Sequence, residues 1–364
     1  MASPPESFVP PHCPRTDCAH HRCARGWRWT RHGSYVRQAS PRRIPRFRCG
    51  HCGHTFSSQT FSVSYWCRRP DLLLPVAHGL LACSGYRQIA RDKGCKPPVV
   101  MRLAARIGRH ALLLLWQLRP RRPIDEPLVV DGFESFAWSQ HHPLYLNLVV
   151  GVSHYCYACT FSLLRRKGRM TERQRRHRAR LEARDGRPDP RAIERGTATA
   201  LRLASPTPQP LVVRSDEHQA YPRALRSLHG YKIRHERTSS LAARTAGNPL
   251  FPANRLDASL RHNSANHKRE TIAFSKLHQS VVERAAWLLL WQNVAKPFSE
   301  RHGGPTPAMK AGLQERPLQV AELLAERVFP SRVNLPPEYD AYYRGEVRTA
   351  AIRNQRRHQL KLAY

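Results

Sequence analysis

The sequence predicts an α+β protein of several domains, and three observations predict it. Two cysteine pairs, Cys13 with Cys18 and Cys49 with Cys52, flank a basic, strand-like stretch near the start. Helical periodicity follows over residues 70–118. Past residue 127 the pattern changes to short apolar runs of strand type, two of which lead into aspartates. At 364 residues the chain can bury more than one core. The predicted divisions are 1–66, 67–123, 124–297 and 298–364, with 165–204 a basic helical insertion in the third.

A net charge of +35 lies far outside the range of an ordinary metabolic enzyme. It predicts an anionic partner, bound through counterion release and weakened steeply by salt. Nine of the 61 cations are lysine, so the rest are arginine, whose fork suits phosphate. No run approaches the roughly 20 apolar residues that span a bilayer. Residues 111–116 and 285–291 read as buried helix segments. Pro and Ser stand where a secretory signal needs an apolar stretch. An intracellular location is therefore expected, with the ten cysteines acting as metal ligands and buried thiols.

Cys13-x4-Cys18 and Cys49-x2-Cys52, separated by the strand-like stretch 27–47, match a four-cysteine zinc ribbon. Thiolates bind Zn²⁺ tetrahedrally, and so small a unit has too little core to fold without it. Cys23, His12, His20 and His21 stand near enough to substitute for Cys18. Residues 72–83 then give one apolar helix, and Ser84 caps a second. Gly94 breaks the chain, and Pro97-Pro98 opens a third helix to about Leu118. This spacing fits a helix-turn-helix whose third helix brings Arg102, Arg106 and Arg109 to the major groove. The alternative is a plain three-helix bundle with a solvated basic face. Cys83 and Cys95 read as buried thiols.

Strands are predicted from Leu128, over 145–152 and 157–164, then over 211–214 and 231–237. Between them, 165–204 is charged and helical, either a solvated helix or a DNA-contacting insertion. A meander, helical material and further strands is the element order of a ribonuclease H-like fold, which sets the first and fourth strands side by side. Asp131 and Asp216 would then meet at a shared divalent-metal site, since a phosphodiester reaction needs hard oxygen ligands. Glu134 and Glu217 are nearby spare acids. Cys156 and Cys159 have metal-like spacing but lie within apolar strand sequence, as core thiols. Residues 281–294, with Trp287 and Trp291, read as a helix packed on the sheet. Beyond 298 the chain is rich in Pro, Gly and charge, partly disordered, with one helix at 318–328 and a basic tail at 348–361.

Leu260-Arg261 is followed, after a gap, by Lys268-Arg269-Glu270-Thr271-Ile272-Ala273-Phe274-Ser275-Lys276. With the ribbon ending Cys49-x-x-Cys52-Gly53-x-x-Phe56, the helix-turn-helix and the two aspartate strands, the chain from Cys13 to about Pro297 resembles the insertion-sequence-one type of bacterial transposases. The resemblance implies Mg²⁺ (or Mn²⁺) on Asp131, Asp216 and a third carboxylate, usually Glu, on a helix seven residues before a basic residue. It implies cleavage and strand transfer on double-stranded DNA of transposon ends and target, a homo-oligomer pairing two ends, and a cytoplasmic, nucleoid-associated protein. Arg261, Lys268, Arg269 and Lys276 would face DNA phosphates. Seven residues before Arg261 stands Asn254, a departure. Three alternatives follow: Asp257, one turn on, is the third ligand; Asn254 ligates through its carbonyl oxygen; or the copy is decayed and only binds DNA.

Overall fold

A computed structural model describes residues 8–352. The basic stretch after Cys18 folds as β1 (Trp29–Val36), β2 (Arg43–Cys49) and β3 (Thr55–Ser57), antiparallel in that order. Alternation along β2 buries Phe47 and Cys49 on one side, with Ile44 buried on the other. Phe47, Phe56 and Phe61 gather round the cysteines, and Phe329 from near the other end of the chain completes their core.

Three helices follow, α1 (Leu73–Leu81), α2 (Tyr86–Asp92) and α3 (Pro97–Gln117). Gly79 lets α1 and α2 cross closely, since a Cβ there would stand 2.9 Å from Ile89. The expected Ser84 cap falls one residue on: Gly85 is the N-cap, and its N–H donates to Gln88 Oε1 at 2.6 Å. Gly94 turns the chain at φ +56°, and the proline pair opens α3. Cys83 and Cys95 are half-buried.

The central sheet holds β4 (Leu128–Phe136), β5 (Pro143–Gly151), β6 (Cys156–Leu163), β7 (Pro210–Ser215) and β8 (Lys232–Arg237) in the order β6-β5-β4-β7-β8. β4, β5 and β6 are antiparallel neighbours, and β7 and β8 run parallel to β4. Between β6 and β7 run α4 (Glu172–Asp185), which buries no residue, and α5 (Ala192–Ala204). The prediction of one insertion over 165–204 is corrected for α5. Its Ala198 and Leu201 are core residues, and a Cβ on Gly196 would strike Asn147 and Ser162 of the sheet at 2.3 Å. With α5 on that face lies α6 (Ala220–Arg226), whose Tyr221 meets Tyr145. The opposite face takes α7 (Phe251–Asn263), with Ala253 on Val129, and α8 (His278–Val294). As expected, α8 is buried almost throughout, and it packs along α3. Cys156 and Cys159 are buried thiols of the sheet.

The C-terminal reading needs correction. Residues 298–352 are not a loose extension. They carry α9 (Pro307–Lys310), α10 (Val320–Leu323) and α11 (Pro337–Arg344), so the helix expected over 318–328 is a single turn. The Tyr339 and Tyr342 hydroxyls of α11 accept from the Cys159 and Phe161 N–H groups, capping the open edge of β6. A predicted charge run concealed this role because the burying residues are tyrosines spaced along one helix. Of the expected tail at 348–361, residues from 353 lie outside the described residues. Among the described residues, no helix is long and apolar enough to cross a membrane.

Candidate metal centres

The four cysteines come together, their sulfurs all within 4.8 Å of one another. Cys18 precedes a short helical turn (Ala19–His21), Cys49 ends β2, and Cys52 lies in the turn to β3. Gly53 allows that turn at φ +68°, and at Gly50 a Cβ would stand 3.0 Å from the Arg28 carbonyl oxygen. Burial pushes the Cys13 and Cys18 thiols up. Burial opposes ionisation of Cys49 too, but the Cys52 N–H, the Trp27 indole at 3.2 Å and the His51 N–H outweigh it, bringing the thiol down to about 6. N–H donors on a sulfur favour the thiolate, the ligand form. Four clustered sulfurs form a group able to hold zinc. Of the substitutes for Cys18, Cys23 is exposed and outside the group. The His12 and His21 rings pack on Phe329, and both donate to the Cys13 carbonyl.

The second centre lies where β4 and β7 part. Their parallel pairing sets Leu128 opposite Val213 and Val129 opposite Arg214. Continued two residues, that register sets Asp131 level with Asp216, on the sheet face that α7 covers. Burial pushes the Asp131 carboxyl up, the Gly132 N–H opposes, and the charge of Asp216 adds, to leave it at about 6. Asp131 Oδ1 accepts that N–H at 2.7 Å, and Asp216 Oδ1 accepts from the His218 N–H at 2.8 Å. Asp257 is the one acid on α7. Burial raises its carboxyl well above the ordinary range, and the negative charge of Asp131 raises it further. Its Oδ1 is buried without a hydrogen-bond partner. The three carboxylates are thus coupled, although among the described residues only the four cysteines bring ligand atoms within 4.8 Å.

Oxygen donors of this kind, one of them buried and unsatisfied, fit a hard divalent cation. Asn254 sits one turn before Asp257 on α7. Glu134, Glu217 and Glu270 are exposed, and Glu217 accepts from the Ser240 N–H. Three neighbours carried no sequence signal. Arg244, in the loop after β8, lowers both Asp131 and Asp257 by its charge. Tyr145 and Tyr221 join hydroxyls at 3.0 Å beside Asp131. Gly132 had a readable reason only in hindsight of the fold: any Cβ there would lie 1.6 Å from the Tyr145 ring.

The expected DNA-facing cations divide. Arg261, Lys268 and Arg269 line a cleft of about 900 Å³ that Arg165, Arg166, Lys167 and Arg187 close from the other side. Arg261 lies over the Phe133 ring, 4.4 Å from its centroid, and donates to the His267 carbonyl. Lys276 is exposed but does not line this cleft. Arg102 is exposed on the first turns of α3. Arg106 and Arg109 correct the prediction. Arg106 is buried and donates to the Val63 and Tyr65 carbonyls, and Arg109 forms a buried ion pair with Glu283 at 3.1 Å. Arg106 turns to the segment that precedes α1, while Arg109 turns inward because α3 rests along α8, where a Cβ on Gly108 would stand 2.3 Å from the Glu283 carbonyl oxygen.

No family model and no curated protein matches this chain. Among solved structures, a chain of the cryo-electron microscopy structure of a simian T-cell lymphotropic virus intasome in complex with PP2A regulatory subunit B56 gamma aligns with it. The alignment covers 67% of this chain and 75% of that one, at 13% identity and a TM-score of 0.23. At that score the likeness bears on neither fold nor function.

Proposed function

We propose that the protein is a metal-dependent DNA transposase with a ribonuclease H-like core. The observation that carries this reading is the carboxylate centre: Asp131 and Asp216 at one level of adjacent parallel strands, with Asp257 coupled to Asp131 from the helix above. The strand order, a three-stranded antiparallel meander extended by two parallel strands, supports the core assignment. Asp131, Asp216 and Asp257 would hold Mg²⁺ or Mn²⁺, which supplies activation of the attacking oxygen and stabilisation of the leaving oxygen in phosphodiester exchange. The protein's own part is positioning. Lys268, Arg269, Lys167 and Arg187 take the phosphate backbone along the cleft, fixing the strand's register beside the acids. Arg244 balances the carboxylates' charge from the loop above. The exposed start of α3, with Arg102, and the zinc-holding ribbon would bind the element's terminal repeats, and pairing two ends calls for a homo-oligomer. A cytoplasmic, nucleoid-associated location follows from such a substrate.

Cleavage and joining of a fragment bearing the element's own end, with Mg²⁺ or Mn²⁺, tests the reading beside Asp131→Ala and Asp257→Ala. Native activity lost in both variants is expected. Asn254, standing where an acid is usual, favours a second reading, a catalytically decayed DNA-binding protein. Native protein that binds the end but never cuts it would establish that reading instead.

A further inference from the structure

A second cleft, of about 780 Å³, shares no lining residue with the one lined by Arg261, Lys268 and Arg269. It opens where the ribbon, the end of α3 and the C-terminal segment meet. Four arginines line it, Arg119 and Arg121 after α3 and Arg327 and Arg332 on the C-terminal segment, against one acid, Glu326. Arg119 has turned to the chain itself, donating to the Trp116 carbonyl, and its guanidinium lies 3.6 Å from the centroid of the Trp116 ring. Trp116 is held in turn by its indole N–H, which donates to the Asn334 carbonyl at 2.8 Å. Across the cleft, the Arg327 guanidinium lies 4.6 Å from the centroid of the Phe329 ring.

These walls combine fixed positive charge with fixed aromatic planes. Burial weakens the charged form of the half-buried Arg119, so the concave surface carries this cation at a cost that a polyanion relieves. Phosphate alone would account for the arginines but not for the half-buried Trp116 indole held flat under Arg119. A duplex hides its base faces inside the stack, whereas an unpaired strand offers both phosphates and ring faces. We infer that this cleft binds single-stranded DNA, with phosphates on Arg121 and Arg332 and a base against the Arg119–Trp116 stack. The site is independent of the carboxylate chemistry and does not require the chain to cut DNA.

The test uses the full chain and a short oligothymidylate, about 10 nucleotides, carrying photoreactive 5-iodouracil, with crosslinked peptides mapped by mass spectrometry. Crosslinks within 115–121 or 325–334 are expected. The double variant Arg121→Glu/Arg332→Glu changes two exposed side chains. It should lower affinity at least about tenfold and reduce the slope of log K on log salt by about 1.4, near 0.7 per cation on a single strand. Arg119→Gln, a milder change, should weaken binding in the same direction, which guards against misfolding of the double variant. Crosslinks confined to 165–190 or 261–276, or unchanged affinity in both variants, would overturn the inference. So would displacement of the strand by polyglutamate as readily as by unlabelled oligothymidylate, because the cleft would then be reading charge alone, as for an acidic peptide.

Discussion

Asp131 shows how a residue can weaken the fold that holds it. Its pKa is raised from 3.8 to about 6, chiefly by burial. Between those values the folded state binds more protons than the unfolded one, so stability falls as pH rises through that window and stays lower above it. Two units correspond to about 3 kcal/mol. In cation-free protein, Asp131→Asn should therefore be more stable than the native chain by about 2–3 kcal/mol near pH 8. The two should converge near pH 3. Thermal melts across pH measure this, and a gap that ignores pH would sink the assignment. Asp257 should behave alike, since burial raises its carboxyl well above the ordinary range. Mn²⁺ should then stabilise the native chain and not Asp257→Asn, because only a ligand bound to the folded state raises stability. Both strand aspartates were legible because an apolar run leads into each, although β4 does not stop at Asp131 but continues to Phe136. Asp257 was legible only as one alternative, since helical spacing put it one turn from the expected position. Arg244 and the tyrosine pair were not legible, because tertiary packing alone brings a loop, a strand and a distant helix to the same place.

At the scale of the element, α3 separates a reading from its limit. Its start, end and periodicity were plain in the sequence, and Gly94 and the proline pair stand where predicted. That Arg106 faces inward depended on the segment before α1, and that Arg109 does depended on α8, which comes more than 160 residues later and whose fit at Gly108 no local pattern announces. Arg102 and Arg109 should accordingly fail in different ways. Arg102→Ala should leave stability within about 0.5 kcal/mol while weakening DNA binding and lowering the salt slope by about 0.9. Arg109→Ala leaves Glu283 buried and unpaired, at a cost of about 3–5 kcal/mol. Urea unfolding and DNA titration of each variant decide the matter; an Arg109 variant that keeps its stability and loses only DNA affinity would restore the groove-facing reading. The strands were the easiest elements, because β5 is buried on both faces and β4 opens on a continuous apolar run.

At the scale of the whole molecule, the cysteine cluster and the central sheet are joined through the C-terminal segment. Phe329 belongs to the aromatic core of the ribbon, the Arg327 N–H donates to the Phe61 carbonyl at 2.8 Å, and the His21 ring lies 2.8 Å from the Ser331 hydroxyl. A few residues on, α11 places its two tyrosine hydroxyls on β6. With zinc on its four cysteines, a ribbon this small would depend on the metal for folding, so removing zinc should release Phe329 and slacken the segment that holds α11 in place. Each β6 N–H that loses its hydroxyl partner forfeits about 1–3 kcal/mol of local stability. Chelation, or Cys49→Ser, should therefore speed amide hydrogen exchange at Cys159 and Phe161 by about 10–100-fold. Exchange at Val129 and Val213, inside the central strands, should stay slow. Equal acceleration at all four would mean global unfolding, and no acceleration at the edge would mean that the ribbon and the sheet are folded independently.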